Sequence, residues 1–121
     1  MKTRPLGESF RCAIQGVLFV LQTERNMALH FLAAALALLI AALLRVTPLE
    51  LACLTLTISS VLICELANTA LEILCDIVCA DLEPRIRRVK DIAAGAVLIS
   101  AVSALLVGIL VLGPRVISQA R

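Results

Sequence analysis

The sequence predicts an all-α integral membrane protein in which one amphipathic helix lies on the membrane surface and three further helices cross the bilayer. Three observations carry that expectation. Hydrophobic residues fill 61% of the 121 positions and the mean hydropathy is +1.04, against about 45–50% apolar residues in a soluble domain. Three apolar runs, at about 27–44, 49–79 and 89–112, are each long enough to cross a hydrocarbon core of about 30 Å. Ahead of them, at about 8–25, the polar residues collect on a narrow stripe of a helical wheel. The chain 1–121 reads as a single domain, and one this short is expected to need other copies to enclose a site.

Met1 to Gly7 is polar, with a Pro and a Gly, and reads as a loose leader. The first helix is expected near Glu8, with Glu8, Arg11, Gln15 and Gln22 as its polar stripe and Phe10, Ala13, Ile14, Val17, Val20 and Leu21 opposite. Continued unbroken, this helix would carry the Glu24 carboxylate onto its apolar face. The first span is apolar except for His30, which one turn from the helix start reads as an interfacial or capping residue. Arg45 to Glu50 supplies a short turn, with Thr47 as N-cap and Pro48 in the first turn of the next helix. The second span lacks Gly and Pro and, at 1.5 Å per residue, is roughly 45 Å long. Asp81 to Arg88 is the charged link. In the third span Ala96, Ser100, Ala104 and Gly108 recur every four residues, a pattern that lets helices approach closely in lipid. Gly113-Pro114 is expected to end it.

Charge and cysteine usage narrow the classes. A net charge of +2, no Tyr and no Trp give no basic surface with aromatic residues for nucleic acid. Cys12, Cys53, Cys64, Cys75 and Cys79 form no CxxC or zinc spacing and read as small apolar packing residues. Arg11, Gln15 and Gln22 interrupt the first apolar stretch, so no cleavable signal is expected. With three spans, Lys2, Arg4, Arg11, Arg25, Arg85, Arg87, Arg88 and Lys90 share one side, whereas Arg45, Arg115 and Arg121 share the other. The excess of Lys and Arg puts the first set in the cytoplasm, with the N-terminus, and makes the chain a multi-pass protein of the cytoplasmic membrane.

The chemistry concentrates in Glu65 to Asp91, around the octet ELANTALE, Glu65 to Glu72. At 100° per residue Glu65, Asn68, Thr69, Glu72 and Asp76 fall within about a 100° arc of one helix. A charge at the centre of a membrane helix costs roughly 2.5–3.5 kcal/mol on insertion scales, so such a stripe points to a task. Roughly 24 Å along the axis from Leu49, Glu65 lies near the far interface, where a lipid headgroup and a water-soluble reagent meet. Carboxylates with a lysine there suit phosphoryl transfer through metal-bridged phosphates. On spacing alone two other readings stand beside it: a small cation- or proton-coupled transporter, and a polar seam that sets helix register in an oligomer. No P-loop, kinase HRD or DFG element, or dinucleotide fingerprint is present.

ELANTALE followed by Asp76, the run Lys90-Asp91-Ile-Ala-Ala-Gly-Ala-Val-Leu-Ile99 and the segment Glu24-Arg-Asn-Met-Ala-Leu-His30 together resemble the prokaryotic diacylglycerol kinase family of small trimeric membrane kinases. The resemblance extends from Ser9 to about Pro114 and is nearest the Gram-positive branch, whose members often act as undecaprenol kinases. It implies a homotrimer with active sites shared between subunits, and transfer of a phosphoryl group from Mg2+-bound ATP to undecaprenol or diacylglycerol. It also implies roles: Glu65 as the general base, Glu24 and Glu72 as ligands of the ATP-associated metal, Asn68 beside the phosphates, and Lys90 and Asp91 on the nucleotide. Two positions depart from the pattern. Cys12 stands where relatives commonly carry an aromatic residue, and Glu83-Pro84 where many have His-Pro.

Overall fold

A computed structural model describes residues 3–79 and 83–120. Met1 and Lys2 of the expected leader, Ala80 to Leu82 with Asp81 of the expected link, and Arg121 lie outside the described residues. The described chain is all-helical, in the order α1 (Leu6–Thr23), α2 (Arg25–Leu43), α3 (Pro48–Val78) and α4 (Pro84–Ala120). The last three are long and apolar enough to cross a membrane.

α1 starts two residues earlier than expected. The Pro5 carbonyl accepts from Ser9 N–H at 3.0 Å to close the first turn, and Glu8 in that turn complements the positive end of the helix dipole. Near its other end the Thr23 hydroxyl donates back to the Phe19 carbonyl at 2.8 Å, offering the backbone a local alternative to the helical ladder. The helix does break there. Glu24 is extended, with φ −107° and ψ 115°, its N–H still donating to the Val20 carbonyl at 2.8 Å and its own carbonyl accepting from Ala28 N–H at 3.3 Å. The sequence expectation of one unbroken helix through Glu24 is therefore corrected: Glu24 is the single-residue elbow between α1 and α2.

The α2–α3 turn follows its sequence signals closely. Arg45 takes a left-handed conformation, φ 53°, while Arg45 and Val46 N–H bond back to the Ala42 and Ala41 carbonyls at 3.3 and 3.2 Å, closing the end of α2. Thr47 then caps α3 in a reciprocal box: its hydroxyl accepts from Glu50 N–H at 3.2 Å and its N–H donates to the Glu50 carboxylate at 3.1 Å.

The bounds of α4 differ most from expectation. The basic stretch Arg85 to Arg88, expected in a link, is already helical, because Pro84 opens α4 with a φ suited to a first helical turn and the Glu83 carbonyl accepts from Ile86 and Arg87 N–H at 3.1 and 3.2 Å. At the other end the helix runs through Gly113-Pro114 to Ala120. Pro114 has no N–H to donate, but the next residue ties the following turns in place. The Arg115 guanidinium grips both oxygens of Glu50, with Nε to Oε2 at 3.1 Å, and reaches the Arg45 carbonyl at 3.5 Å. This bidentate pair ties the turn after Pro114 to the first turn of α3.

α3 and α4 pack along each other, α2 lies more lightly on α3, and α1 touches the rest near its end. The expected row of small residues takes part unevenly. Ser100 Oγ meets Cys64 Sγ at 3.0 Å and Ala93 is buried, whereas Ala96 is exposed and Gly108 has open space where a Cβ would point. That space belongs to an apolar groove of about 660 Å3 between α2, α3 and α4. Large apolar side chains such as Leu36, Leu56, Leu98 and Leu110 stay exposed on the outer faces, the surface expected of a chain solvated by lipid or by further copies.

Candidate active site

The stripe on α3 is graded in depth. Glu65 and Thr69 are each only 2% exposed, Asn68 and Glu72 are half-buried and Asp76 is open to solvent. The helix period explains the grading, since Glu65, Thr69 and Glu72 return to the side of α3 that its neighbours cover, while the stripe climbs out of the packed region toward Asp76. Glu72 accepts a hydrogen bond from Asn68 Nδ2 at 3.2 Å. The other end of that amide, Asn68 Oδ1, and the Thr69 hydroxyl are buried without a hydrogen-bond partner among the described residues. Buried polar atoms left unsatisfied in this way cost free energy, and they call for an explanation such as a bound ion or ligand.

The elbow brings a distant part of the chain to this stripe. Glu24 and Glu72 both act electrostatically on Glu65, so three carboxylates from two regions of sequence share one neighbourhood. His30 is the sixth residue of α2, and its partner is not legible in the sequence. Its Nε2 lies 3.8 Å from Glu65 Oε2, so a residue read as an interfacial or capping histidine instead faces the most deeply buried acid of the stripe. The only sequence signal was its place in the segment Glu24 to His30, which fixes both residues to the first turns of α2.

Lys90 and Asp91 open toward solvent at the start of α4, where with Ile86 and Arg87 they line a shallow hollow of about 390 Å3. Lys90 Nζ donates to Asp76 Oδ1 at 2.7 Å, which joins the exposed end of the stripe to α4. The ammonium is thus stationed beside the stripe through Asp76 rather than through Glu72. Asp91 is exposed. Arg85 is engaged by Glu83, with Nε to Oε1 at 3.0 Å, and this bond holds the Glu83 carboxyl below the ordinary carboxylate range. Arg87 and Arg88 are exposed.

A hard divalent cation such as Mg2+ fits the chemistry of these donors. The groups at hand are carboxylates and an amide oxygen, and Mg2+ is commonly held by one or two carboxylates together with water and phosphate oxygens. Among the described residues no three acidic, histidine or cysteine side chains close around a common point, so a metal here would depend on phosphate oxygens or on a neighbouring copy for the rest of its shell. The set as a whole offers a buried carboxylate as a base, two further carboxylates and an amide oxygen as cation donors, and a lysine for phosphate charge.

Comparison with known proteins places the chain among relatives. Over 111 residues, 91% of this chain, it is 38% identical to a diacylglycerol kinase of Synechocystis sp., and it spans 63% of that relative's length. Over 108 residues, 89% of this chain, it is 33% identical to an undecaprenol kinase of Bacillus subtilis and covers 88% of that protein. The prokaryotic diacylglycerol kinase family matches residues 11–112, a stretch that holds the elbow, the whole α3 stripe and Lys90-Asp91. The chain belongs to the prokaryotic diacylglycerol kinase family.

Proposed function

We propose that this protein is a lipid kinase that moves the γ-phosphoryl group of ATP to the hydroxyl of a membrane lipid, undecaprenol or diacylglycerol, giving the lipid monophosphate. The observation that carries the proposal is Glu65: a carboxylate 2% exposed inside an apolar helix, one turn from the Asn68–Glu72 pair and within the field of Glu24. Among the described residues no lysine or arginine clamps it; a buried acid of that kind is costly as a structural element, whereas a base within reach of a lipid hydroxyl requires such a place. The similarity to two lipid kinases points the same way.

In this reading the lipid chain stays in the bilayer and its hydroxyl reaches Glu65. Glu65 accepts the hydroxyl proton as the oxygen attacks the γ-phosphorus, and ADP leaves with the electron pair of the broken bond. Glu24 and Glu72 would hold Mg2+, which when bound screens the phosphate charge that builds up during transfer. Asn68 orients phosphate oxygens through its amide, and Lys90 and Asp91 bind the nucleotide at the open end of the stripe, Asp76 keeping Lys90 in place until phosphate takes over the ammonium.

The site belongs to a homotrimer in this proposal. Support comes from the open donor set of one copy and from the exposed apolar faces of the helices. α1 lies on the membrane surface, its Leu6, Phe10 and Ile14 row, exposed in one copy, facing lipid. The bias of Lys and Arg supports a cytoplasmic N-terminus and active site in the cytoplasmic membrane.

Reconstitution with Mg2+ and ATP in vesicles containing either undecaprenol or diacylglycerol tests the reading. Phosphorylated product is expected from at least one lipid, with undecaprenol the faster substrate. No product from either would remove the proposal.

A further inference from the structure

A base buried as deeply as Glu65 raises a second question, that of where its proton goes. After one transfer the carboxyl is protonated and cannot serve again until it is emptied. Glu65 has almost no path of its own to water, since its side chain is 3% exposed. The acids that act on it, Glu24 and Glu72, carry charge of the same sign and are occupied by a cation in the proposed site. Among the described residues, His30 is the one basic side chain within ion-pair distance of Glu65, with Nε2 3.8 Å from Oε2. Its side chain is 26% exposed against 3% for Glu65 and stands on the wall of the apolar groove between α2, α3 and α4.

We propose that His30 is the positioning residue of Glu65 and the acceptor of its proton. This rests on the lipid-kinase reading. In the forward step the lipid O–H bond breaks and an O–H bond forms on Glu65, the lipid oxygen bonds to the γ-phosphorus, and ADP departs with the electrons of the bond that breaks. The proton then passes from Glu65 to Nε2 of His30, across the 3.8 Å gap after a small side-chain rotation or through one water, and the imidazolium hands it to water that enters as the products leave. Glu65 returns as a carboxylate. Between turnovers the imidazole faces that carboxylate at 3.8 Å. The elbow at Glu24 serves this arrangement as well, because Glu24 is the N-cap of α2 and His30 lies in the second turn of the same helix.

Imidazole is a good proton acceptor near neutral pH, whereas an amide can hold a hydrogen bond but cannot carry the proton onward. His30→Gln therefore separates the two roles. The test compares wild type, His30→Gln and His30→Ala in vesicles with Mg2+, ATP and the lipid alcohol. Both variants are expected to lose about tenfold to a hundredfold in kcat with the KM for ATP unchanged. Added imidazole is expected to restore part of the turnover of His30→Ala and none of that of His30→Gln, whose side chain fills the space. Binding of a non-hydrolysable ATP analogue to the same samples is expected to be unchanged. Wild-type kcat in His30→Gln would overturn the assignment, as would a loss in His30→Ala that imidazole does not relieve, or a loss of analogue binding in both variants. A wild type that phosphorylates neither lipid overturns the kinase reading and this inference with it, whereas an active wild type matched by His30→Gln overturns this inference alone.

Discussion

Glu65→Gln is expected to lower kcat by about a hundredfold to ten-thousandfold, the usual worth of a general base, and to leave ATP binding as it is. The substitution is nearly isosteric, so the tight surroundings of a residue 2% exposed can accept it without a cavity or an overpacked contact. It removes a buried charge, and with it the electrostatic cost of keeping that charge beside Glu24 and Glu72, so the fold is expected to be no less stable. What it cannot do is accept a proton from the lipid hydroxyl. Steady-state kinetics together with nucleotide binding to the same preparation check this: a fall in kcat with an unchanged KM for ATP marks a group that acts in the transition state. A parallel loss of ATP affinity would instead place Glu65 among the nucleotide or metal ligands.

Glu72→Gln is expected to fail in the opposite way. Gln can still accept the Asn68 amide bond now made at 3.2 Å, so local geometry survives, but a full negative charge directed at a cation is lost. Hydrogen bonds and contacts to charged groups are worth about 1.5–3 kcal/mol, so the KM for Mg2+-bound ATP is expected to rise about tenfold to a hundredfold, with partial recovery as Mg2+ is raised. Titration of ATP affinity against Mg2+ in wild type and variant measures this. An unchanged Mg2+ requirement with lost turnover would take Glu72 out of the cation site and leave Asn68 Oδ1, buried and unpartnered, without the explanation given to it here.

Much of the frame could be read from residues because local signals act alone. Thr47, Pro48 and Glu50 specify the start of α3 by capping chemistry that needs no tertiary context, and the apolar runs are long enough to fix three membrane helices by length and composition. The α3 stripe was visible because helical periodicity is a property of one helix. Some of the misreadings turn on contacts between segments distant in sequence. α4 runs past the stop signal Gly113-Pro114, with Arg115 reaching Glu50 and Arg45 from far along the chain. Glu24 marks an elbow that no Gly or Pro announces. The pairings of His30 with Glu65 and of Lys90 with Asp76 depend on how α2, α3 and α4 lie against one another, which periodicity within a single helix does not encode.

These distinctions matter for the division of labour in the site. Glu65 and Glu72 lie on one helix seven residues apart, two turns of the same face, and pattern alone assigns them one role. Their surroundings separate them. Glu65 is buried and faces an imidazole, whereas Glu72 is half-buried, bonded to an amide and nearer the open end that Lys90 and Asp76 frame. A buried acid beside a histidine is suited to moving a proton, and a more accessible acid beside an amide oxygen is suited to holding a hydrated cation.

The central claim, that the α3 stripe transfers phosphate to a lipid hydroxyl with Glu65 as base, is tested most directly by following the label of γ-labelled ATP in vesicles that contain both lipid alcohols. Wild type is expected to move label into the lipid fraction as a monophosphate, and Glu65→Gln to bind the nucleotide while moving almost none. Label that stays in ATP or appears only as inorganic phosphate with the wild type, or a Glu65→Gln variant that labels lipid at the wild-type rate, would contradict it.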